Sequence, residues 1–366
     1  MRTSFKQIKL YFLMDSIISD SYAVHFNEQA FSALNTHLAE KKYSTIFIMV
    51  DENTHEHCLP NFMAELNGDY AFEIIEIESG EINKNIETCV GVWEALSELG
   101  ADRKSLLINL GGGVLTDMGG FIASTFKRGI DFINVPTTLL SMVDASVGGK
   151  TGIDLGALKN QIGVINQPVM VLVVPDFLDT LEDRQVNSGF AEMLKHGLIQ
   201  DKDYWQSLKE AKDLKDMKNH ILTSIQIKNE VVLQDPTEQH IRKILNYGHT
   251  LGHAIESYFL ENESKEMLLH GEAIAIGMIL EGYLSLKLLD LPQEAMEDIK
   301  ETFLDRYDKV EFSETDIDNI LKLMKYDKKN SHGKINFVLL KSIGEPKFDV
   351  EIPVTLFTEA FAYYKL

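Results

Sequence analysis

The stretch NYGHTLGHAIE, residues 246–256, carries two imidazoles four positions apart, His249 and His253, each directly after a glycine. On a helix, residues i and i+4 share a face, so both rings can point at one centre. The glycines need a reason, because glycine costs a helix interior about 1 kcal/mol relative to alanine. Two further segments offer metal-ligand chemistry. LHGEAIAIGM places His270 at the start of a helical pattern, again before a glycine, and SGFAEMLKHGLI places Glu192 among the small residues Gly189 and Ala191. The spacing is not HExxH, since no glutamate follows His249, so a zinc-protease arrangement is excluded. A catalytic zinc takes three protein ligands and keeps one position open. Glu192, His249, His253 and His270 are four candidates, and spacing alone leaves open which of them is not a ligand. The competing reading is a pair of helix histidines satisfied by hydrogen bonds. His196, one turn after Glu192, reads as a helix-face histidine, with metal ligation as the second option.

Two other regions suit anionic ligands. LLINLGGGVLTDMGGFIAS runs from a strand through Gly111, Gly112 and Gly113 into a helix, where bare backbone N–H groups and the helix N-terminus favour a phosphate. Asp117 lies one turn on, placed to accept a hydroxyl bond. Asp51 closes the run TIFIMV, where an acidic residue is either a ribose acceptor or a strand-end turn residue. The pattern is not GxGxxG, so a dinucleotide site here is of another design. PTTLLSMVDASVGGKTGIDLGALKNQIG gathers Thr137, Thr138, Asp144, Lys150, Lys159 and Asn160 among glycines, a set that suits a polyanionic substrate beside a cofactor.

The elements that must position these groups change character along the chain. TIFIMV (45–50), AFEIIEI (71–77), SLLINL (105–110), DFINVP (131–136) and VMVLVVP (169–175) read as buried strands, with helical patterns such as NIETCVGVWEALSELG between them. Alternation of this kind predicts a Rossmann-like α/β domain with a parallel sheet over residues 1–176. Beyond it, helical periodicity dominates, apart from KINFVLL (334–340), which predicts a mostly α-helical domain over residues 177–366. The expected active site is the cleft between the two. The 366 residues are enough for two such cores. A net charge of -21 argues against nucleic-acid or anionic-membrane partners. The N-terminal apolar residues are interrupted by Lys6, Gln7, Lys9 and Asp15 and do not read as a signal peptide. The longest apolar stretch holds Glu281 and Lys287 and reads as a core helix. Cys58 and Cys89 give no disulfide framework, so a cytoplasmic location is expected.

The motifs GGGVLTDMGGF, PTTLLSMVDASVGGKTG, KNQIG, SGFAEMLK, RKILNYGHTLGHAIE and LHGEAIAIGM occur in that order. In combination they resemble those of the 3-dehydroquinate synthases, within the sugar phosphate cyclase superfamily, and the likeness runs from Asp51 to the DKK at 327–329. The resemblance implies zinc, or cobalt, bound by Glu192, His249 and His270, with His253 left to contact substrate. It implies NAD contacts from Asp51, Asn53, Glu81, Lys84, the Gly111–Gly113 turn, Asp117, Thr137, Thr138, Asp144, Lys159, Phe177 and Thr180. Lys150, Asn160, Lys195, Lys228, Arg242 and Asn246 fall at substrate positions, as does one of Lys328 and Lys329. Arg128 matches an arginine that reaches the substrate phosphate across a homodimer interface. Departures are IDLGALKN where PLG usually precedes KN, TLEDRQ where TLPxRE is usual, so that Gln185 lacks a carboxylate, Thr116 in place of a frequent glycine, and added residues in YFLENESKEMLLHG.

The implied substrate is the sugar phosphate 3-deoxy-arabino-heptulosonate 7-phosphate, closed to 3-dehydroquinate and phosphate in the shikimate pathway. The implied course is transient oxidation of a hydroxyl by NAD, loss of phosphate, reduction by the same NADH, ring opening and aldol closure. Arg242 with Lys150 would hold the substrate carboxylate, which a guanidinium fork matches. Three rivals remain at this level. One is a cyclase of sedoheptulose 7-phosphate or glucose 6-phosphate, which lack the carboxylate. The second is a metal-dependent polyol or glycerol phosphate dehydrogenase, which would accumulate NADH. The third is a non-catalytic zinc-stabilised binding protein.

Overall fold

The computed structural model describes residues 16–156, 158–214, 216–327 and 335–366. Lys328 and Lys329 lie outside the described residues. The chain divides into two compact units, Met1–Leu155 with Asn160–Leu181, and Gly156–Lys159 with Glu182–Leu366.

The first unit is built on a seven-stranded sheet. In chain order its strands are β1 (Ser16–Ile18), β2 (Ala23–Phe26), β3 (Ile46–Asp51), β4 (Phe72–Ile77), β5 (Leu106–Gly111), β6 (Asp131–Pro136) and β9 (Met170–Val173). The spatial order is β1-β2-β9-β6-β5-β3-β4. All neighbours are parallel except β1 and β2, which pair antiparallel at one edge. The five apolar runs therefore form the strands expected of them. Every residue of β5 is buried, as a strand covered on both faces requires. Helices α1 (Asn27–Glu40), α2 (Glu52–His57), α3 (Leu59–Ala64), α4 (Ile86–Glu98) and α5 (Gly113–Thr125) make the connections, and β7 (Lys150–Leu155) pairs with β8 (Leu158–Ile165) in a separate two-stranded sheet.

Helix α5 presses unusually close to its neighbours, and glycine is what permits this. A Cβ on Gly119 would lie 2.0 Å from Asn109 Oδ1, and one on Gly120 2.5 Å from Thr151 Cγ2. The second half of GGGVLTDMGGF thus seats the helix against its neighbours.

The second unit is mostly helical: α6 (Asp183–Gln200), α7 (Lys202–Glu210), α8 (Lys218–Gln234), α9 (His249–Glu261), α10 (His270–Leu289), α11 (Gln293–Leu304), α12 (Glu314–Asp327) and α13 (Thr355–Lys365). Strands β10 (Asn336–Ser342) and β11 (Glu345–Glu351) form an antiparallel pair against α10. Helix α10 is buried at nearly every position from Gly271 to Ser285, so its lack of an apolar stripe reflects full enclosure. Among the described residues no helix is long and apolar enough to cross a membrane.

Candidate functional site

In the first unit the ligand candidates gather at the carboxyl edge of the sheet. Asp51 ends β3, Gly111 ends β5 and pairs with Pro136 at the end of β6, and the Thr137 N–H donates to the Gly111 carbonyl at 3.0 Å. Glu81 and Lys84 follow β4, while Phe177 and Thr180 follow β9. This is where open α/β sheets take their ligands. The N-terminus of α5 begins at Gly112 with no side-chain cap. Its first N–H groups are therefore presented as an anion site presents them. A Cβ on Gly112 would come within 3.0 Å of Thr138 Cγ2 and narrow the approach. Thr116 does not intrude there: its hydroxyl lies 3.3 Å from the Gly112 and Gly113 carbonyls, inside the helix's own turn.

Lys84 is almost fully buried and donates to Asp117 Oδ2 and Asn160 Oδ1, both at 2.7 Å. Burial works against its charge, but Asp117 and Glu81 outweigh this and hold its pKa above the usual lysine range. Asn160 adopts φ 51°, a left-handed conformation asparagine tolerates, and its N–H donates to Asp154 Oδ1 at 2.7 Å. Asp51 caps α2: its Oδ1 accepts from the Thr54 N–H at 2.8 Å and from the Thr54 hydroxyl at 2.9 Å. Asn53 and Lys150 are exposed, and Asp144 lies in a π-helical turn, Ser141–Ala145. Arg128 stands apart, past the far end of the 13-residue α5 from the glycine turn. A helix of that length spans about 20 Å. Its backbone has φ 72°, following Lys127 at φ 47°. Both values are unusual for non-glycine residues.

In the second unit the structure brings all four ligand candidates together. Glu192 is fully buried on α6, and its Oε1 faces His249 Nε2 at 3.5 Å and His270 Nε2 at 3.6 Å. His253 completes the group, with ring centroids 5.1 Å from His249 and 5.7 Å from His270. Lys195, one turn along α6, makes a buried ion pair with Glu192. Neither Glu192 oxygen accepts a hydrogen bond of good geometry, an arrangement a buried carboxylate rarely tolerates. Tetrahedral zinc with bonds of about 2.1 Å would hold its ligand atoms about 3.4 Å apart. The spacing about Glu192 Oε1 therefore fits a shared divalent ion.

The other ring nitrogens are placed as a metal site needs them. His249 Nδ1 donates to the Tyr247 carbonyl at 3.1 Å, which leaves Nε2 with its lone pair. His270 Nδ1 lies 3.2 Å from Glu256 Oε2. Burial and then Lys195 hold His249 neutral, well below the usual imidazole range. Burial opposes charge on His270 also, but Glu256 and Glu192 outweigh it and push its pKa up to about 10. For Glu192, burial would raise the pKa, yet Lys195 and the two imidazoles hold it well below the usual carboxylate range. His270 thus sits between two carboxylates, where a cation is favoured.

The helix starts are fixed by residues that motif reading passed over. Glu272 accepts from the Leu269 N–H at 2.8 Å and from Arg184 Nε and Nη2 at 2.7 and 2.9 Å, tying α10 to α6 beside His270. Buried Glu281 accepts from the Gly248 N–H at 2.7 Å, capping α9 from α10 just ahead of His249. Glu272 reaches the N-cap N–H as a capping-box glutamate does, but Leu269 is not the Ser or Thr that marks such a box in a sequence. Glu281 carries no local signal either, because its partner is distant in sequence. The remaining substrate candidates lie on neighbouring elements of the same unit. Lys228 is buried on α8; Arg242 is buried and donates to the Pro236 carbonyl at 2.6 Å; Asn246 donates to Glu238 Oε1 at 2.6 Å.

The sequence model for the 3-dehydroquinate synthase N-terminal region matches residues 74–188, and that for its C-terminal region matches residues 189–330. The chain belongs to the 3-dehydroquinate synthase family. A 3-dehydroquinate synthase from Parabacteroides distasonis is 41% identical over 338 residues, covering 91% of this chain and 95% of its own. Among solved structures, a 2-epi-5-epi-valiolone synthase from Streptomyces hygroscopicus subsp. jinggangensis 5008 with NAD+ and Zn2+ bound superposes with a TM-score of 0.82 at 25% identity, covering 96% of this chain and 99% of that one. A 2-deoxy-scyllo-inosose synthase complexed with carbaglucose-6-phosphate, NAD+ and Co2+ shares the fold, with a TM-score of 0.81 at 23% identity over 95% of this chain and 99% of that one. Members of this family are enzymes, which sets aside the non-catalytic reading.

Proposed function

We propose that this chain converts 3-deoxy-arabino-heptulosonate 7-phosphate to 3-dehydroquinate and phosphate, with NAD and one zinc or cobalt ion. The observation that carries the reading is the convergence of Glu192, His249 and His270 on one point beside His253 and Lys195, in a chain of this family. When bound, NAD accepts and returns a hydride, and the divalent ion polarises the hydroxyl being oxidised.

The chain's own groups bind, orient and move protons. In this reading the first unit holds the cofactor. The uncapped N-terminus of α5 takes the pyrophosphate, and the buried Lys84–Asp117 pair orients the groups around it. Glu192, His249 and His270 hold the metal. The His253 ring, on the same helix face as His249, takes the proton of the reacting hydroxyl at a ring nitrogen. Lys195 keeps Glu192 ionised and lends positive charge where the substrate becomes more anionic. The Arg242 fork, anchored by the Pro236 carbonyl, takes the substrate carboxylate with Asn246. Lys150, Asn160 and Lys228 contribute further polar contacts to substrate. The carboxylate partners favour this sugar over sedoheptulose 7-phosphate and glucose 6-phosphate. Cys58 and Cys89 are buried free thiols, which supports work in the cytoplasm.

Phosphate release from the three sugars, each with and without NAD, tests the reading. Release only from the carboxylate-bearing sugar, dependent on NAD and without net NADH, is expected. NADH accumulating with turnover would instead favour the polyol dehydrogenase rival, and turnover confined to the sugar phosphates without a carboxylate would favour another cyclase.

Arg128, remote from its own glycine turn, serves the phosphate of a second copy in a homodimer. A mixture of the Arg128→Ala and His270→Ala chains tests this. Each alone is inactive, but random pairing in a two-fold dimer restores about a quarter of the wild-type sites. No recovery on mixing would rule out the shared site.

A further inference from the structure

Glu256 closes the motif NYGHTLGHAIE, yet nothing above gives it a task. It is largely buried on α9, one turn beyond His253, and each oxygen has a partner. Oε2 lies 3.2 Å from His270 Nδ1, and Oε1 lies 3.3 Å from Lys159 Nζ. Lys159 is itself buried, its side chain 7% exposed. A buried carboxylate held from both sides has little freedom to turn, so it fixes the ring it touches. We propose that Glu256 is a positioning residue of the metal site. It fixes the His270 ring so that Nε2 carries the lone pair, raises the basicity of that nitrogen, and is held in place by Lys159.

The physical argument concerns orientation. A ligating imidazole can rotate about its Cβ–Cγ bond, and either nitrogen can carry the hydrogen. His249 is fixed by a backbone carbonyl, whereas His270 stands at the first turn of α10, where no backbone acceptor is placed for its Nδ1 among the bonds described. Glu256 supplies that acceptor as a charged group, so it sets both the tautomer and the donor strength of Nε2. Lys159, which the family likeness assigns to the cofactor, has its ammonium at Glu256 and so belongs to the surroundings of the metal. This proposal rests on reading Glu192, His249 and His270 as the metal ligands.

Zinc affinity measured by chelator competition, together with the visible spectrum of the cobalt-loaded protein, tests it without recourse to activity. Glu256→Leu is expected to lose about 10- to 100-fold in zinc affinity and to shift the cobalt band, as loss of a partner to a ligating histidine does. Glu256→Gln keeps an acceptor but not the charge and should fall between Leu and wild type, which also covers a Leu variant that fails to fold. His270→Ala is the control for the underlying reading. If it loses metal while both Glu256 variants bind zinc like wild type with an unaltered cobalt spectrum, the positioning role is wrong and the ligand set stands. If His270→Ala also keeps wild-type affinity, both fall. In a double-mutant cycle, the Glu256→Gln effect should change in the Lys159→Met background; strict additivity would remove Lys159 from the proposal.

Discussion

The Glu192→Gln chain is expected to purify without its metal and to release phosphate at least about 10³-fold more slowly than wild type. Loss of the Lewis acid removes several kcal/mol of transition-state stabilisation, and each 1.4 kcal/mol is about tenfold in rate. The substitution is nearly isosteric, so the loss is one of charge and donor type. The amide also leaves the Lys195 ammonium buried beside a neutral group. Removing one partner of a buried pair costs about 3–5 kcal/mol. The metal-free variant should therefore melt below metal-free wild type as well. Metal content after dialysis, melting of both metal-free proteins and the phosphate assay check the three parts. A variant that retains one ion per chain and full turnover would end the assignment of Glu192.

The second large effect is expected at a residue that touches no ligand. Gly277 on α10 faces the start of α9. A Cβ there would lie 2.0 Å from the Gly248 carbonyl oxygen, 3.0 Å from its carbon and 2.9 Å from the Gly252 N. All three are backbone atoms, so no side chain can swing aside. Gly277→Ala must push the two helices apart and carry His249 away from His270. Overpacking of this kind costs about 1–3 kcal/mol where side chains can yield, and more where they cannot. We expect about 3 kcal/mol or more in urea unfolding, and zinc affinity lost together with stability. The control is Gly91→Ala on α4, where nothing lies within 4 Å of the added Cβ; that change should gain about 0.4–1 kcal/mol. Gly277→Ala melting with wild type would show that the close approach is not needed.

Gly277 also shows where sequence reading stops. The apolar runs at 45–50, 105–110 and 131–136 announced their strands, because a strand covered on both faces is apolar at nearly every position. The antiparallel edge β1–β2 and the β7–β8 pair were not legible. β1 and β2 are three and four residues long, β8 is mostly exposed, and β7, though buried at its centre, mixes Lys150, Thr151, Gly152 and Asp154, so no apolar run stands out. Glu256 and Glu281 looked like ordinary helix carboxylates. Their roles depend on which backbone or ring lies opposite, and that partner is 14 and 33 residues away in the chain respectively.

By itself, the sequence determined which residue types are present and at what local spacing: two imidazoles on one helix face, a glycine turn between strand and helix, an α/β half before a helical one. These follow from periods of two and 3.6 residues, which are properties of short segments. Only the tertiary structure decided that Glu192, His249, His253 and His270 come together, that Asp51 caps a helix, and that Arg128 lies a helix length from its own glycine turn. Ligand geometry is set by how closely helices from distant segments approach. That distance is fixed by the absence of a Cβ at a few crossing points, and periodicity within one helix carries no information about the other.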